Sequence, residues 1–268
     1  MWTKEIFHTS KPVIGMIHLL GMPTDPKYDP AGGIQKILGA ARKDLHALQD
    51  GGIDGVLFCN EFSIPYTDHV KPVTIAVMAR IIGELMSEIK VPHGVCVAMD
   101  PFKGYDLAAA VEAKFIRQTI HGATTGVYGI TDVQPGEVER HKVEVGCKDI
   151  KTLTPVIPEG TKQVAERPIE EVAKTLCFNV CPSALLIYSD TPGSSIDVEQ
   201  VSKVKGVTDI PVFASNGVKP ETIADIFAAA DGCVVGTGIK VDGKFENPVD
   251  LERTKALMAN ARKSRGEC

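Results

Sequence analysis

The sequence Pro211-Val212-Phe213-Ala214-Ser215-Asn216-Gly217 is a short apolar run that ends in small polar residues and a glycine. The next run, Gly232-Cys233-Val234-Val235-Gly236-Thr237-Gly238, has the same form. Two successive buried strands that end in glycine-rich turns are typical of strands seven and eight of a (β/α)8 barrel, where the turns bind phosphate. The two runs therefore predict a barrel with a phosphate site near the end of the chain.

Apolar runs of the same kind recur along the chain and alternate with segments of helical periodicity. The predicted strands are 13–17, 55–59, 94–99, 115–119, 149–154, 184–188, 211–215 and 232–236. The predicted helices are 34–50, 71–90, 104–113, 137–147, 169–178, 197–205, 220–230 and 248–263. Strands that are apolar throughout indicate a parallel sheet covered on both faces. No Gly-x-Gly-x-x-Gly turn follows the first strand, so the pattern favours a closed barrel over a dinucleotide-binding sheet. We expect an α/β fold, a single (β/α)8 TIM barrel spanning 1–268 with its core at about 12–263.

The bulk composition excludes several classes of partner. The 268 residues carry a net charge of −5, and 44% of them are hydrophobic. An acidic chain of this kind has neither a general basic field for nucleic acid nor a polybasic membrane anchor. No apolar run is long enough to cross a bilayer, and the first residues do not resemble a signal peptide. Seven scattered cysteines, an odd number, are typical of a reduced protein, so we expect a cytoplasmic location.

Polar side chains follow the apolar strands, at the positions that line the mouth of a barrel. These residues are His18, Asn60, Glu61, Asp100, Arg117, Thr119, Ser189, Asp190, Ser215, Asn216 and Thr237. Two long connections, 18–33 and 120–136, also follow strands and belong to the same face. Loops of this length inside a compact domain are usually functional.

A phosphate site is predicted from Ser215, Asn216 and Gly217 together with Gly236, Thr237 and Gly238. Small residues let backbone N–H groups approach an anion closely. The alternative is that both segments are ordinary tight turns between a strand and a helix. Lys240 either reaches the same anion or is a solvated surface lysine.

Three residues are candidates for the chemistry. Glu61 and Asp100 follow adjacent strands, so they could share a divalent metal, or one of them could act as a general base. Each could instead cap a turn or a helix. His18 could be a base, an electrophile or a metal ligand, and the alternative is a structural histidine that bonds to a loop carbonyl. The strand Ala184–Tyr188 ends without a lysine, which argues against a Schiff-base aldolase.

Several of these segments resemble the BtpA family. The resemblance rests on Ile14-Gly15-Met16-Ile17-His18-Leu19 at the start and on Val235-Gly236-Thr237-Gly238-Ile239-Lys240-Val241-Asp242-Gly243 near the end. Asn60-Glu61-Phe62-Ser63-Ile64-Pro65-Tyr66 is similar to a motif of its SgcQ-like branch. The resemblance implies a barrel similar to the ribulose-phosphate-binding barrels. It implies no settled reaction, because members are described either as photosystem I biogenesis factors or as proteins of sugar metabolism.

Two functional hypotheses follow. In the first, the protein is an isomerase, epimerase or lyase of sugar or sugar-phosphate metabolism, in which Glu61 moves a proton and His18 or Asp100 polarises an oxygen or holds a metal. In the second, it is a non-catalytic assembly factor that retains the barrel. We expect a phosphorylated small molecule as partner, and neither nucleic acid nor membrane insertion. The sequence leaves open the cofactor, a divalent metal included, and the formation of a homo-oligomer.

Overall fold

The computed structural model describes residues 1–189 and 196–267 and confirms the predicted barrel. Its strands are β1 (Val13–His18), β2 (Gly55–Cys59), β3 (His93–Cys96), β4 (Phe115–Arg117), β5 (Gly122–Gly126), β6 (Gly129–Val133), β7 (Lys151–Pro155), β8 (Thr161–Gln163), β9 (Ala184–Ile187), β10 (Val212–Ser215) and β11 (Cys233–Val235). Eight of them form a closed parallel barrel in the order β1-β2-β3-β4-β7-β9-β10-β11. The barrel closes where Val13 pairs with Cys233 and Gly15 with Val235.

Helices cover the outside of the barrel. They are α1 (Trp2–Phe7), α2 (Gly33–Asp50), α3 (Pro72–Leu85), α4 (Pro101–Ala110), α5 (Pro135–Glu144), α6 (Ile169–Val180), α7 (Val198–Lys205), α8 (Ile223–Ala229) and α9 (Leu251–Arg265). Helix α2 shows why they pack there, since its buried Ile37, Ala41, Leu45 and Leu48 recur at helical spacing along one face. All of these helices except α1 were predicted from the sequence.

The barrel strands are buried on both faces, as their continuous apolar sequences indicate. Alternate side chains of β1 point to different layers: Ile14 and Met16 belong to the cluster inside the barrel, and Val13 and Ile17 to the layer under the helices. Leu57 and Cys59 of β2 extend the inner cluster. Because side chains fill the interior, a ligand can bind only at an end of the barrel.

Two parts of the fold were not predicted. Helix α1 lies at the N-terminal end of the barrel, where the indole Nε1 of Trp2 donates a hydrogen bond to the Ser183 carbonyl at 2.9 Å. The ring of Phe7 packs against that of Phe115, with centroids 5.3 Å apart. The predicted loop 120–136 instead contains β5 and β6, an antiparallel hairpin that β8 extends into a three-stranded sheet. This sheet is formed by the connections that follow β4 and β7.

No helix within 1–189 or 196–267 has the length and apolar character needed to span a bilayer. Asp190, one of the predicted mouth residues, lies outside the described residues.

Candidate active site

A cavity of about 330 Å³ opens at the C-terminal ends of the barrel strands. One wall consists of the loops after β10 and β11, and it includes all six residues predicted to bind phosphate. The opposite wall contains His18, Glu61, Arg117, Glu159 and Tyr188. A second cavity of about 410 Å³ adjoins it and shares Glu61, Arg117, Glu159 and Tyr188. The fold therefore brings the predicted phosphate turns and two of the three predicted chemical residues to one place.

The two glycine-rich loops are in direct contact with each other. A Cβ atom on Gly238 would lie 1.8 Å from the carbonyl oxygen of Val218, so only glycine fits there. Gly217 has φ of +63°, a conformation that favours glycine. Within the described residues, the backbone N–H groups of Gly217, Val218, Thr237 and Gly238 take part in no hydrogen bond. Unpaired amides on two touching loops are the feature that an anion site requires.

Two cations that sequence reasoning missed border these loops. Arg253 of α9 donates from Nε and Nη2 to the carbonyl of Gly238, at 3.2 and 3.0 Å, and so fixes this peptide. Lys219 is exposed at the rim of the cavity. Neither lies in a motif, and Arg253 reaches the site only through the placement of the last helix.

Asn216 ties neighbouring loops together. Its Oδ1 accepts a hydrogen bond from the Ser189 N–H at 2.9 Å, and its Nδ2 donates to Oε1 of Glu159 at 2.9 Å. The backbone of Asn216 has φ of +112°, an uncommon conformation for a residue other than glycine. Both polar atoms of this side chain therefore have protein partners. Asn216 contributes to the wall formed by the loops after β10 and β11 by fixing the conformation of its turn.

Glu61 forms a buried ion pair. Its Oε1 lies 2.6 Å from Nη2 of Arg117, its Oε2 accepts a hydrogen bond from the Tyr66 hydroxyl at 2.6 Å, and its side chain is 14% exposed. Burial alone would raise the pKa of Glu61, but the Arg117 charge and the hydrogen bonds outweigh it and lower the pKa to about 2. Glu61 is therefore ionised at neutral pH, and both its oxygens are engaged.

Sulfur atoms inside the barrel hold the Arg117 guanidinium in place. Its Nε lies 3.2 Å from Sγ of Cys96, its Nη2 3.3 Å from Sγ of Cys59, and its Nη1 3.5 Å from Sδ of Met16. A hydrogen bond with Cys59 and the Arg117 charge lower the pKa of Cys96 to about 7. These contacts direct the remaining donor capacity of Arg117 toward Glu61 and the cavity.

His18 lies against the second phosphate loop and is buried with no partner for its ring nitrogens among the described residues. A Cβ atom on Gly236 would lie 2.7 Å from His18 Nε2, which shows how closely the loop packs on the ring. Burial lowers the pKa of His18 to about 3, with a further contribution from Lys240 and Arg117. The ring is therefore neutral at pH 7, and it lines the cavity with two buried nitrogens that lack a partner among the described residues.

Glu159 is a further residue of this site that was not predicted from the sequence. It follows β7, the one barrel strand for which no mouth residue was proposed, within Pro155-Val156-Ile157-Pro158-Glu159-Gly160. The side chain is half-buried, and within the described residues its Oε2 has no hydrogen-bond partner. Burial raises the pKa of Glu159, and the charge of Glu61 adds to this effect. Extending the predicted strand by one residue, to Pro155, would have drawn attention to this loop.

Asp100, the third predicted chemical residue, is not brought into the cavity. It is the N-cap of α4: Oδ1 accepts from the Lys103 N–H at 3.1 Å, and Oδ2 accepts from the Val70 N–H at 3.0 Å. The geometry is thus that of the capping alternative. Asp100 lines neither of the two cavities that contain Glu61.

Lys240 follows neither of its two predicted alternatives. Its side chain is 1% exposed, and Nζ donates to the Phe245 carbonyl at 2.6 Å. The ammonium also lies 5.2 Å from the ring centroids of Phe62 and Phe245. Burial lowers the pKa of Lys240 to about 8. The lysine supports the wall behind His18 and does not reach the loops as an anion ligand.

The described part of the chain holds no cluster of three or more His, Cys, Asp or Glu side chains suited to a metal ion. Glu61 and Asp100 each have both oxygens engaged by protein donors. The arrangement can bind an anion, supply a neutral imidazole and present one partly free carboxyl group.

Sequence comparison identifies the family. The family model described as "BtpA family" matches residues 9–263. The chain belongs to the BtpA family. This BtpA-family chain is 43% identical to the sgc region protein SgcQ of Escherichia coli K12, over 96% of each sequence. It is 27% identical to the photosystem I biogenesis protein BtpA of Synechocystis, covering 95% of this chain and 89% of the relative.

Solved structures of low sequence identity share the fold of this BtpA-family barrel. Tryptophan synthase from Mycobacterium tuberculosis gives a TM-score of 0.60 at 16% identity, covering 94% of this chain and 93% of that one. Thiamine phosphate pyrophosphorylase from Pyrococcus furiosus gives a TM-score of 0.57 at 15% identity, covering 95% of this chain and 96% of that one. N-(5'-phosphoribosyl)anthranilate isomerase from the same organism gives a TM-score of 0.57 at 13% identity, covering 94% of this chain and 99% of that one. At these identities the likeness concerns the barrel and not the reaction.

Proposed function

We propose that this BtpA-family barrel is an enzyme that binds a phosphorylated sugar or a related metabolite and moves a proton on it, as isomerases, epimerases and lyases do. The observation that carries the proposal is that unpaired loop amides and titratable side chains line opposite walls of the same cavity. The names of two structural neighbours contain phosphorylated compounds, which agrees with a phosphate site on the same fold.

The phosphate would bind at the touching loops, to amides that include those of Gly217 and Gly238. Lys219 at the rim adds positive charge without requiring a buried cation. Binding energy at this end would hold the rest of the molecule against the opposite wall. Neutral His18 would donate a hydrogen bond to a carbonyl oxygen there, and Arg117 would stabilise the negative charge that develops.

Glu61 remains a candidate for the proton-moving group, as the sequence suggested. Its ionised carboxylate lines both cavities, which supports contact with a bound molecule. Its low pKa and its two occupied oxygens make it a weak base, however, because proton transfer is most efficient when the pKa is near the working pH.

The test is phosphate binding measured by calorimetry and thermal shift, with a matched pair of glycine variants. Gly238→Ala should weaken inorganic phosphate binding at least ~10-fold, because the new Cβ forces the loops apart. Gly83→Ala is the control: the site is inside α3 with no atom within 4 Å of the new Cβ, so it should add about 0.5–1 kcal/mol of stability and leave binding unchanged. A ligand at ~100 times its dissociation constant should stabilise the wild-type protein by about 2.7 kcal/mol. Equal phosphate affinity in the two variants would refute the loop assignment.

A non-catalytic assembly role is the second candidate, and one observation favours it. Ile130 of β6, Val127 in the turn before this strand and Val164 directly after β8 are 74%, 83% and 61% exposed. Apolar side chains exposed together are typical of contact surfaces. A relative at 27% identity is named for photosystem I biogenesis. If the folded wild-type protein binds neither inorganic phosphate nor any sugar monophosphate, this role is preferred.

A further inference from the structure

We propose that Glu159 is the residue that takes up and returns the proton in this site, and that Glu61 acts only as a fixed negative charge. This inference rests on the proposed function, since it assumes that a phosphorylated molecule occupies the cavity. It assigns the acid–base role to a carboxyl group in the loop after β7.

Glu159 has an oxygen available to accept a proton, whereas both oxygens of Glu61 are engaged. Glu61 has one oxygen on Arg117 and the other on Tyr66, both at 2.6 Å, so a proton transfer there would require breaking a short bond. Glu159 is held by one oxygen only, through Asn216 at 2.9 Å. Its Oε2 is free among the described residues and belongs to a side chain that lines both cavities.

The carboxyl groups of Glu61 and Glu159 also differ in acidity. Glu61 and Glu159 belong to the same wall, yet their environments shift their pKa values in opposite directions. Such a pair commonly divides the roles of charge stabiliser and proton carrier. The charged groups that influence Glu159 are Glu61 and Arg117, and the charge of Glu159 in turn raises the pKa of Tyr128 and Tyr188. Of these, Glu61 raises the pKa of Glu159 and Arg117 lowers it.

The proton transfer is balanced without any further reactant. The ionised Glu159 carboxylate takes a proton from the carbon next to a carbonyl group, so that a C–H bond breaks and an O–H bond forms. The electron pair of the C–H bond becomes the new C=C bond, and the carbonyl electron pair moves onto oxygen, next to His18 and Arg117. Glu159 then returns the proton to the former carbonyl carbon, while the hydroxyl proton on the neighbouring carbon moves to the former carbonyl oxygen, which gives the aldose–ketose isomer. Return of the proton to the original carbon regenerates the substrate and exchanges its hydrogen with solvent.

The test measures solvent exchange of carbon-bound hydrogen by NMR in D₂O, with the full chain and a panel of three- to six-carbon aldose and ketose monophosphates. Glu159→Gln retains an oxygen for the Asn216 bond, so its affinity for the panel should stay within about twofold of wild type. Its exchange rate should fall ~10²–10⁴-fold. Glu166→Gln is the matched control, because Glu166 is an exposed carboxylate a few residues further along the chain, and its exchange rate should be unchanged.

The pH profile gives a second readout. The exchange rate of the wild-type protein should rise with pH through an apparent pKa above the ordinary ~4.3 of glutamate. Exchange in Glu159→Gln at the wild-type rate, or binding by the wild-type protein without exchange, would overturn the assignment and leave the phosphate site standing. Absence of any phosphate binding by the folded wild-type protein would overturn the proposed function and this inference together.

Discussion

Replacing Glu61 by glutamine should destabilise the protein by about 3 kcal/mol at pH 7. The side chain pairs with buried Arg117, and lowering its pKa from 4.5 to about 2 corresponds to about 3 kcal/mol of interaction with the charged form. Removing one partner of a buried ion pair typically costs ~3–5 kcal/mol, because the other charge is left uncompensated.

The assay is urea unfolding of wild type, Glu61→Gln and a matched exposed pair. Arg80 and Glu84 lie 2.7 Å apart on the surface of α3, where their side chains are 50% and 38% exposed. Glu84→Gln should therefore cost less than ~1 kcal/mol. The Glu61 contribution has a defined pH window: its folded pKa is lowered, so the stabilisation is fully present above pH ~4.5 and is lost as the pH falls toward 2.

A loss in Glu61→Gln no larger than that in Glu84→Gln would refute the buried-pair reasoning. The double variant Glu61→Gln with Arg117→Met supplies an internal check, because it removes both charges. It should recover part of the stability lost in the single variant, since no uncompensated charge is left inside the barrel.

Two further predictions concern the stability of the fold. Asp100→Ala should lower the free energy of unfolding by ~2 kcal/mol through loss of the α4 cap, with phosphate affinity unchanged in calorimetry; a folded variant that no longer binds phosphate would place Asp100 in the site. Burial lowers the pKa of His18 and His121 to about 3 and about 4, so stability should be complete above pH ~6.5 and fall by up to ~1.4 kcal/mol per pH unit for each of them below it. In urea unfolding at pH 7, 6 and 5, His121→Gln should lower the slope of the free energy of unfolding against pH by up to ~1.4 kcal/mol per pH unit. An unchanged slope would show that His121 is not buried in its neutral form.

The barrel could be predicted because its strands are locally distinctive. Runs such as Val212–Ser215 and Cys233–Val235 are apolar on both faces, and this pattern depends only on burial between the interior and the helices. The hairpin in 120–136 left no such signal. Its Ile130 is exposed and its partner strand Thr161–Gln163 is distant in sequence, so long-range pairing and not periodicity defines it.

The site was predictable in its positions and less so in its partners. The placement of His18, Glu61 and the two glycine loops follows from strand ends alone. That Arg117 would neutralise Glu61 depends on which side chains face each other across the barrel, and no local pattern encodes it. Glu159 was missed because the strand before it ends in proline, which reads as a turn and not as part of a strand.

The helix that covers the N-terminal end of the barrel has a consequence for synthesis of the chain. Trp2 and Phe7 are translated before Phe115, Ser183 and Phe213, which they contact. Strand β1 likewise pairs with Cys233–Val235, which is translated much later, and this pairing closes the barrel. Helix α1 and strand β1 thus remain without these native neighbours until residues 115–235 have been translated. An N-terminal fusion that prevents α1 from packing would expose Phe115 and Phe213 at the N-terminal end of the barrel. Such a fusion should lower the fraction of soluble protein obtained on expression.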